Sequence, residues 1–268
     1  MATPCSSTNP QQTIKHPHTI RPFVLVNMAI SADAAINNHQ RNIGSFGSSS
    51  DQNHLYSLRA TADAILCGAE TIRQQPVSLD AGPPRFRRKR LQNGLAEHPL
   101  RIVVSRSGFI PPNSPILHPS PAPLLILTPK ATPLNNLTPL ITAGARVARF
   151  GSTSVNLPAA LRWLHTHHNV KRLLVEGGGK LNAALLQANL VDEIHLTFCP
   201  ILLGGTNAPT IADGTRFIPL PKATRLQLKS THRKGNELYA TYTVLPGPSR
   251  PPHDEPSATA GLKSGSGK

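Results

Sequence analysis

Apolar residues fall along this chain in short continuous runs, each bounded by turn-forming residues. From Phe23 to Ile30 the segment RPFVLVNMAIS is almost unbroken in its apolarity, which predicts a central strand buried on both faces. Asn27 is its polar exception, and Ser31 and Asp33 follow at its end. Ala62 to Cys67, closed by Gly68, predicts a second strand, and Arg101 to Ser105, Leu124 to Thr128 and Ala145 to Phe150 predict three more. Helical spacing runs from the caps at Ser48-Ser49-Ser50-Asp51 through Leu55, Leu58 and Arg59, in a short turn from Ala69 to Gln75, and from Leu157 to His165. Pro76 to Pro99 reads as a loop and Ile110 to Pro123 as a proline-rich connector. Val191 to Pro200 predicts another strand. Thr224 to Leu228 and Glu237 to Val244 alternate apolar and polar residues around Lys234-Gly235-Asn236, the pattern of a terminal antiparallel hairpin. Strands interleaved with helices before a hairpin imply an α/β fold with a mixed, mainly parallel sheet flanked by helices. Residues 1–20, with Pro, Ser, Thr, Asn and Gln, and 246–268, rich in Pro, Gly and Ser, lack periodicity, so a disordered leader and tail are expected around one domain at 21–245.

One stretch carries more chemistry than the others. In KRLLVEGGGKLNAALLQANL, Lys171 to Leu190, an apolar run ends in Glu176, passes through Gly177-Gly178-Gly179 and becomes a helix with Leu181, Ala184, Leu185 and Ala188 at helical spacing. The first N–H groups of a helix lack intrahelical partners and carry its positive end, and glycines let a phosphate approach the backbone. The competing reading is a tight strand-to-helix connection in which the glycines serve only the backbone. The spacing is neither a Walker loop, since Lys180 is followed by Leu181, nor a Rossmann fingerprint.

Charge changes the picture only in part. The 268 residues carry a formal net charge of +15, which attracts phosphorylated metabolites, dinucleotides and nucleic acid alike. The densest run, Arg85-Phe86-Arg87-Arg88-Lys89-Arg90, reads first as a solvated face, with a phosphate clamp or a nucleic-acid contact as alternatives. Cys5, Cys67 and Cys199 are too few and too scattered for a disulfide framework or a zinc site, and suit a reducing cytoplasm. His165, His167 and His168 lack an accompanying carboxylate or cysteine, so no metal site is expected. No segment is apolar enough to cross a membrane. The amino terminus lacks the apolar core of a secretory signal, although its acid-free composition leaves an organelle transit peptide open.

VEGGGKLNAALLQANLVDEIHLTFCPILLGG, Val175 to Gly205, closely resembles the signature of the riboflavin-biosynthesis pyrimidine reductases, the reductase half of the bifunctional deaminase–reductase. RPFVLVNMAISAD, LRATADAILCGAETIR and HPLRIVVSRSG continue the resemblance in the family's order, over about residues 21–245. It implies a dihydrofolate-reductase-like fold, a homodimer, and NADPH as cofactor for reducing the ribosylamino side chain of a phosphorylated aminopyrimidine. By match to the family, Gly177, Gly178, Gly179, Lys180 and Leu181 would hold the cofactor's pyrophosphate, with Thr71, Gln75, Ser105, Arg106 and Ser107 as further contacts and Arg106 beside the 2′-phosphate. Asn27, Ser31, Arg59, Arg85 and Glu176 would face the substrate. Asn27, Asp33 and Glu176 are the residues assigned to turnover.

Three segments depart from the family pattern. The usual S-L-D-G-K is Ser31-Ala32-Asp33-Ala34-Ala35, the usual D-D-P is Gln74-Gln75-Pro76, and the usual L-T-x-R is Val77-Ser78-Leu79-Asp80. These departures motivate a second reading, a reductase of the same fold acting on a pterin-like substrate. A third, a basic nucleic-acid-binding protein, has the net charge in its favour and the 4% aromatic content against it.

Overall fold

The computed structural model describes residues 20–214 and 219–246; the expected leader and tail, with Cys5, lie outside the described residues apart from their innermost positions. Nine strands form one sheet: β1 (Phe23–Ser31), β2 (Ala64–Gly68), β3 (Leu100–Val104), β4 (Leu124–Thr128), β5 (Arg146–Arg149), β6 (Arg172–Val175), β7 (Glu193–Cys199), β8 (Leu226–Lys234) and β9 (Glu237–Val244). Their spatial order is β5-β4-β3-β2-β6-β1-β7-β9-β8. The first seven strands in the chain are mutually parallel, and β9 and β8 join antiparallel beyond β7. The sheet is therefore mixed and mainly parallel, with the hairpin at one edge.

The direction of chain travel decides where the helices lie. From β1 the chain steps one way across the sheet to β2, β3, β4 and β5, then returns to β6 and crosses β1 to reach β7. Parallel crossovers are right-handed, so a reversal of direction sends the connecting helices to the opposite face. Accordingly α1 (Ser49–Arg59), α2 (Ala69–Gln74) and α4 (Leu134–Thr142) pack with Leu25, Ile65, Val103, Ile126 and Leu174. On the other face α5 (Leu157–His168) and α6 (Gly179–Gln187) pack with Val24, Val26, Leu66, Ile102 and Leu173. At the carboxyl ends of the adjacent strands β2 and β6 the chain departs to opposite faces. The crevice this opens is the switch point at which open α/β sheets bind ligands.

One helix corrects the sequence reading and another adds to it. The stretch from Pro76 to Pro99, expected as a loop, contains α3 (Pro84–Gln92). Pro84 occupies its first turn, where a missing N–H costs nothing, and Phe86 and Arg90, four residues apart, both point inward. Arg90 is fully buried; it donates from Nη1 to the carbonyls of Arg59 and Ala62, the latter at 2.7 Å, and from Nε to that of Ala96 at 2.8 Å. One cation of the basic run thus ties α3 to α1 and the start of β2. The other, α4, fills the core with Leu137 and Leu140 despite Pro139 in its interior, a residue that argues against a helix when only the sequence is read.

The start of α1 is fixed on β9. Ser48 caps the helix, and Glu237 accepts from the Ser48 N–H at 2.7 Å, the Ser48 hydroxyl at 2.6 Å and the Tyr239 hydroxyl at 2.6 Å. Asp51 is buried beside this carboxylate, and burial first, then the charge of Glu237, raises its pKa. A helix amino terminus favours an anion, so the upward direction means that burial outweighs the dipole here. Below its ordinary pKa of 3.8 Asp51 is protonated in both states and leaves stability unaffected; above it the folded state loses stability with rising pH until the folded group has also ionised. Asp51→Asn is expected to melt higher than the parent at neutral pH and to lose that advantage near about pH 3. Thermal unfolding at the two pH values checks it, and an equal or lower melting temperature at neutral pH would count against the assignment.

Candidate functional site

The glycine junction lies in the crevice. Glu176 follows β6 and donates its N–H to the Leu66 carbonyl at 2.9 Å, while the Gly177 carbonyl accepts from the Gly68 N–H at 2.9 Å, fastening the ends of β2 and β6 together. Gly177 has φ of +85°, and its peptide bond to Gly178 is cis. A Cβ on Gly177 would stand 3.0 Å from Met28 Sδ, and one on Gly178 3.0 Å from Thr71 Oγ1. On Gly179 it would meet the Thr210 carbonyl oxygen at 2.4 Å and the Asp213 carboxyl carbon at 2.8 Å. The N–H groups of Gly178, Gly179 and Lys180 donate to no acceptor among the described residues. Close packing excludes side chains at all three positions, as the backbone reading of the triplet expects, with Gly177 and Gly179 buried and the first turn of α6 left with unclaimed N–H donors.

Beside the triplet lies a buried ion pair. Arg59 donates from Nε and Nη2 to the two oxygens of Glu176, both at 2.6 Å, and from Nη1 to the Asp80 carbonyl at 2.8 Å, with the Asp80 carboxylate at 3.6 Å. Its guanidinium stacks 5.4 Å from the centre of the Tyr56 ring. The two side chains are 7% and 9% exposed, so the bidentate geometry is what makes the pair tenable in this setting. Burial opposes the Arg59 charge, but Glu176 overcomes it and raises the arginine's pKa.

Asn27 occupies the next place along the crevice. Val26 pairs with Val175, so Asn27 stands one residue beyond the end of β6 and pairs with His195 of β7. It is 7% exposed and its Oδ1 has no hydrogen-bond partner, a costly state that a ligand donor would relieve. Ser31 and Asp33 serve a different purpose. Ser31 donates to Asp33, whose carboxylate also accepts from the N–H groups of Leu203 at 3.2 Å and Gly204 at 2.7 Å. The Ser31 hydroxyl first, then those two N–H groups, hold the Asp33 carboxyl down at about 2.

The remaining sequence-derived residues fall along the same carboxyl edge, with one exception. Thr71 faces Gly178, and Gln75 donates from Nε2 to the Ile43 carbonyl at 3.1 Å. Ser105 follows β3 and accepts from the Gly108 N–H at 3.0 Å, and Arg106 and Ser107 are exposed in that turn. Lys180 is exposed at the start of α6, whereas Leu181 packs into the core. Arg85 contacts Asn53 and lies 4.8 Å from the centre of the Phe86 ring, so its partners are on α1 and α3. Sequence reasoning missed Asp80 as the second partner of Arg59, and Thr210 with Asp213 as the cover on Gly179. Asp80 announced itself only as a departure from the family pattern; nothing local marked the other two.

Comparison with known proteins shows the family and the fold. A family model described as the RibD C-terminal domain matches residues 22–240. The 2,5-diamino-6-ribosylamino-4(3H)-pyrimidinone 5′-phosphate reductase of Archaeoglobus fulgidus is 36% identical over 199 residues, 74% of this chain and 90% of that one. The reductase of the same name from Methanothermobacter thermautotrophicus is 30% identical over 225 residues, 84% and 99% of the two chains. Among solved structures, a pyrimidine reductase-like protein from Corynebacterium diphtheriae superposes with a TM-score of 0.69 at 25% identity, covering 84% of this chain and 92% of that one. Acinetobacter baumannii RibD shares the fold, with a TM-score of 0.70 at 20% identity over 85% of this chain and 59% of that one.

Proposed function

Since the chain belongs to the RibD C-terminal domain family, we propose that it reduces the ribosylamino side chain of a phosphorylated aminopyrimidine to ribitylamino, a step of riboflavin synthesis, with NADPH as reductant. The observation that carries this reading is the juxtaposition, at one switch point, of the free N–H groups of α6 with Asn27 and the Arg59–Glu176 pair. The names of the two archaeal relatives favour the diaminopyrimidinone over its deaminated form as substrate.

The residues present fit a dinucleotide. Gly178, Gly179 and Lys180 would hold the diphosphate through their N–H groups, Arg106 would take the 2′-phosphate, and Thr71, Gln75, Ser105 and Ser107 would line the approach. When bound, the reduced nicotinamide supplies a hydride to C1′ of the sugar in its open-chain imine form. Glu176, fixed by Arg59, retains lone pairs to accept from the ring N–H and amino groups of the pyrimidine. Asn27 is the group of the three assigned to turnover with an unclaimed polar atom, and its Oδ1 orients the reacting end of the substrate. Asp33, ionised and saturated by its own loop, holds Leu203 and Gly204 in place. Catalysis in this reading is mostly positioning.

Incubating the chain with NADPH and each ribosylaminopyrimidine 5′-phosphate, with NADH as a parallel arm, tests the reading. A folded chain that binds NADPH and leaves both pyrimidines unreduced would refute it. A pterin-reducing or nucleic-acid-binding role finds no support among the relatives. No helix among the described residues is long and apolar enough to cross a membrane; a cytoplasmic setting is part of the reading as a metabolic reductase.

The same reading includes a homodimer. Leu226, Leu228 and Leu238 are 40%, 55% and 44% exposed, and the pairings of Leu226 with Val244 and Leu228 with Tyr242 place them on one apolar face of an edge hairpin. A second copy is the expected cover. Leu228→Glu should convert a dimer to a monomer by light scattering; a parent chain that is monomeric at micromolar concentration would remove the dimer from the proposal.

A further inference from the structure

On the side of α1 away from Arg59, the helix and the β8–β9 hairpin enclose a polar cleft of about 200 Å³. Ser50, Asn53, His54 and Ser57 recur at spacings of three and four and so share one helix face. The hairpin contributes His232 and Lys234. The His232 ring stacks on that of Tyr239 at 4.7 Å, and His54 lies 6.4 Å from His232, 5.2 Å from Tyr239 and 5.8 Å from His195 beneath it. None of the lining side chains is a carboxylate. The acids nearby are committed elsewhere: Glu237 to Ser48 and Tyr239, and Glu193 to His195 and Lys229. Asp51 is buried against the sheet side of the helix. Arg85 adds another cation through its contact with Asn53.

We propose that this cleft binds a phosphate-sized oxyanion, with Lys234 and His232 supplying charge and the Ser50 hydroxyl and Asn53 Nδ2 supplying hydrogen bonds, the Ser57 hydroxyl being committed to the Asn53 carbonyl. His195 is held by Glu193, but His54 and His232 have no carboxylate between them and repel one another once protonated. Burial first, then His195 and His232, hold His54 down at about 4. An oxyanion seated among these rings supplies the missing counter-charge, at a place separate from the crevice. The alternative is a solvated groove whose cations face water and select no ion. The proposal does not depend on the reductase reading, because free phosphate and a sugar phosphate share the chemistry recognised.

A histidine-resolved NMR titration of the full chain tests it, with sulfate as probe because its charge is constant over the range, and chloride at matched ionic strength as control. Sulfate is expected to raise the His54 midpoint saturably, by about one unit, with no such change in chloride. The double variant Lys234→Gln/His232→Gln, altered only at exposed positions, should lose the sulfate-dependent shift and keep its fold. Ribose 5-phosphate acting as sulfate does would extend the site to sugar phosphates; sulfate acting alone would confine it to free ions, and either upholds oxyanion binding. A midpoint identical in sulfate and chloride, or a sulfate shift that survives in the double variant, overturns it.

Discussion

Replacing Arg59 by methionine is expected to cost about 3–5 kcal/mol of folding stability and to abolish measurable turnover. Removal of the guanidinium leaves Glu176, 9% exposed, without the two hydrogen bonds that hold its charge in the crevice. It also strips the Asp80 carbonyl of its donor. Glu176→Gln keeps the shape of the acceptor, and Arg59 retains Asp80 at 3.6 Å, so the stability loss should be smaller while substrate reduction still fails. The double variant, Arg59→Met with Glu176→Gln, is expected to recover most of the stability lost in Arg59→Met and none of the activity. Urea unfolding and NADPH oxidation, measured on the same three variants, separate the two roles. If the double variant is as unstable as the sum of the singles, the pair is not coupled and its description as a buried ion pair fails.

The second large effect is at the triplet. Gly179→Ala should weaken NADPH binding by more than about tenfold, or 1.4 kcal/mol. The new methyl group would lie 2.4 Å from the carbonyl oxygen of Thr210, a backbone atom that cannot swing aside as a side-chain end does. Either residues 210–213 retreat or the first turn of α6 shifts, and in both cases the N–H groups of Gly179 and Lys180 lose their direction. Gly44→Ala, where nothing lies within 4 Å, is the matched control and should bind NADPH like the parent. Cofactor fluorescence titration decides it; equal affinities for Gly179→Ala and the control would mean that the diphosphate is not held at this helix start.

The parts of the fold legible in the sequence are those in which a residue's surroundings follow from its near neighbours. β1, β2 and β4 were evident because a strand buried on both faces must be apolar at every step. The β6 to α6 junction was evident because an abrupt change of period, at three residues without side chains, has few structural meanings. The whole of α3 is hidden in a stretch that reads as a loop, because its inward face consists of Phe86 and Arg90, and a buried arginine looks like solvent-facing charge until the carbonyls of Arg59, Ala62 and Ala96 are seen around it. In the same way, Arg59 and Glu176 each stood out by family resemblance, but nothing in either neighbourhood announced a bond between residues 117 positions apart. Asp33 is assigned to turnover by family resemblance, and nothing near it in sequence marks its bonds to the backbone of Leu203 and Gly204, 170 and 171 positions away.

That Met28, Thr71, and Thr210 with Asp213 each press on a different member of the glycine triplet has a consequence for the handling of the chain. The proposed seat for the dinucleotide is walled by pieces drawn from both the first third and the last third of the domain. A protease nick between β7 and β8 would therefore open one wall of the seat while leaving the parallel strands intact. Conversely, a bound cofactor should shield peptide bonds near Thr210 from cleavage, so that limited digestion becomes a gauge of occupancy at a position remote in sequence from the glycines themselves.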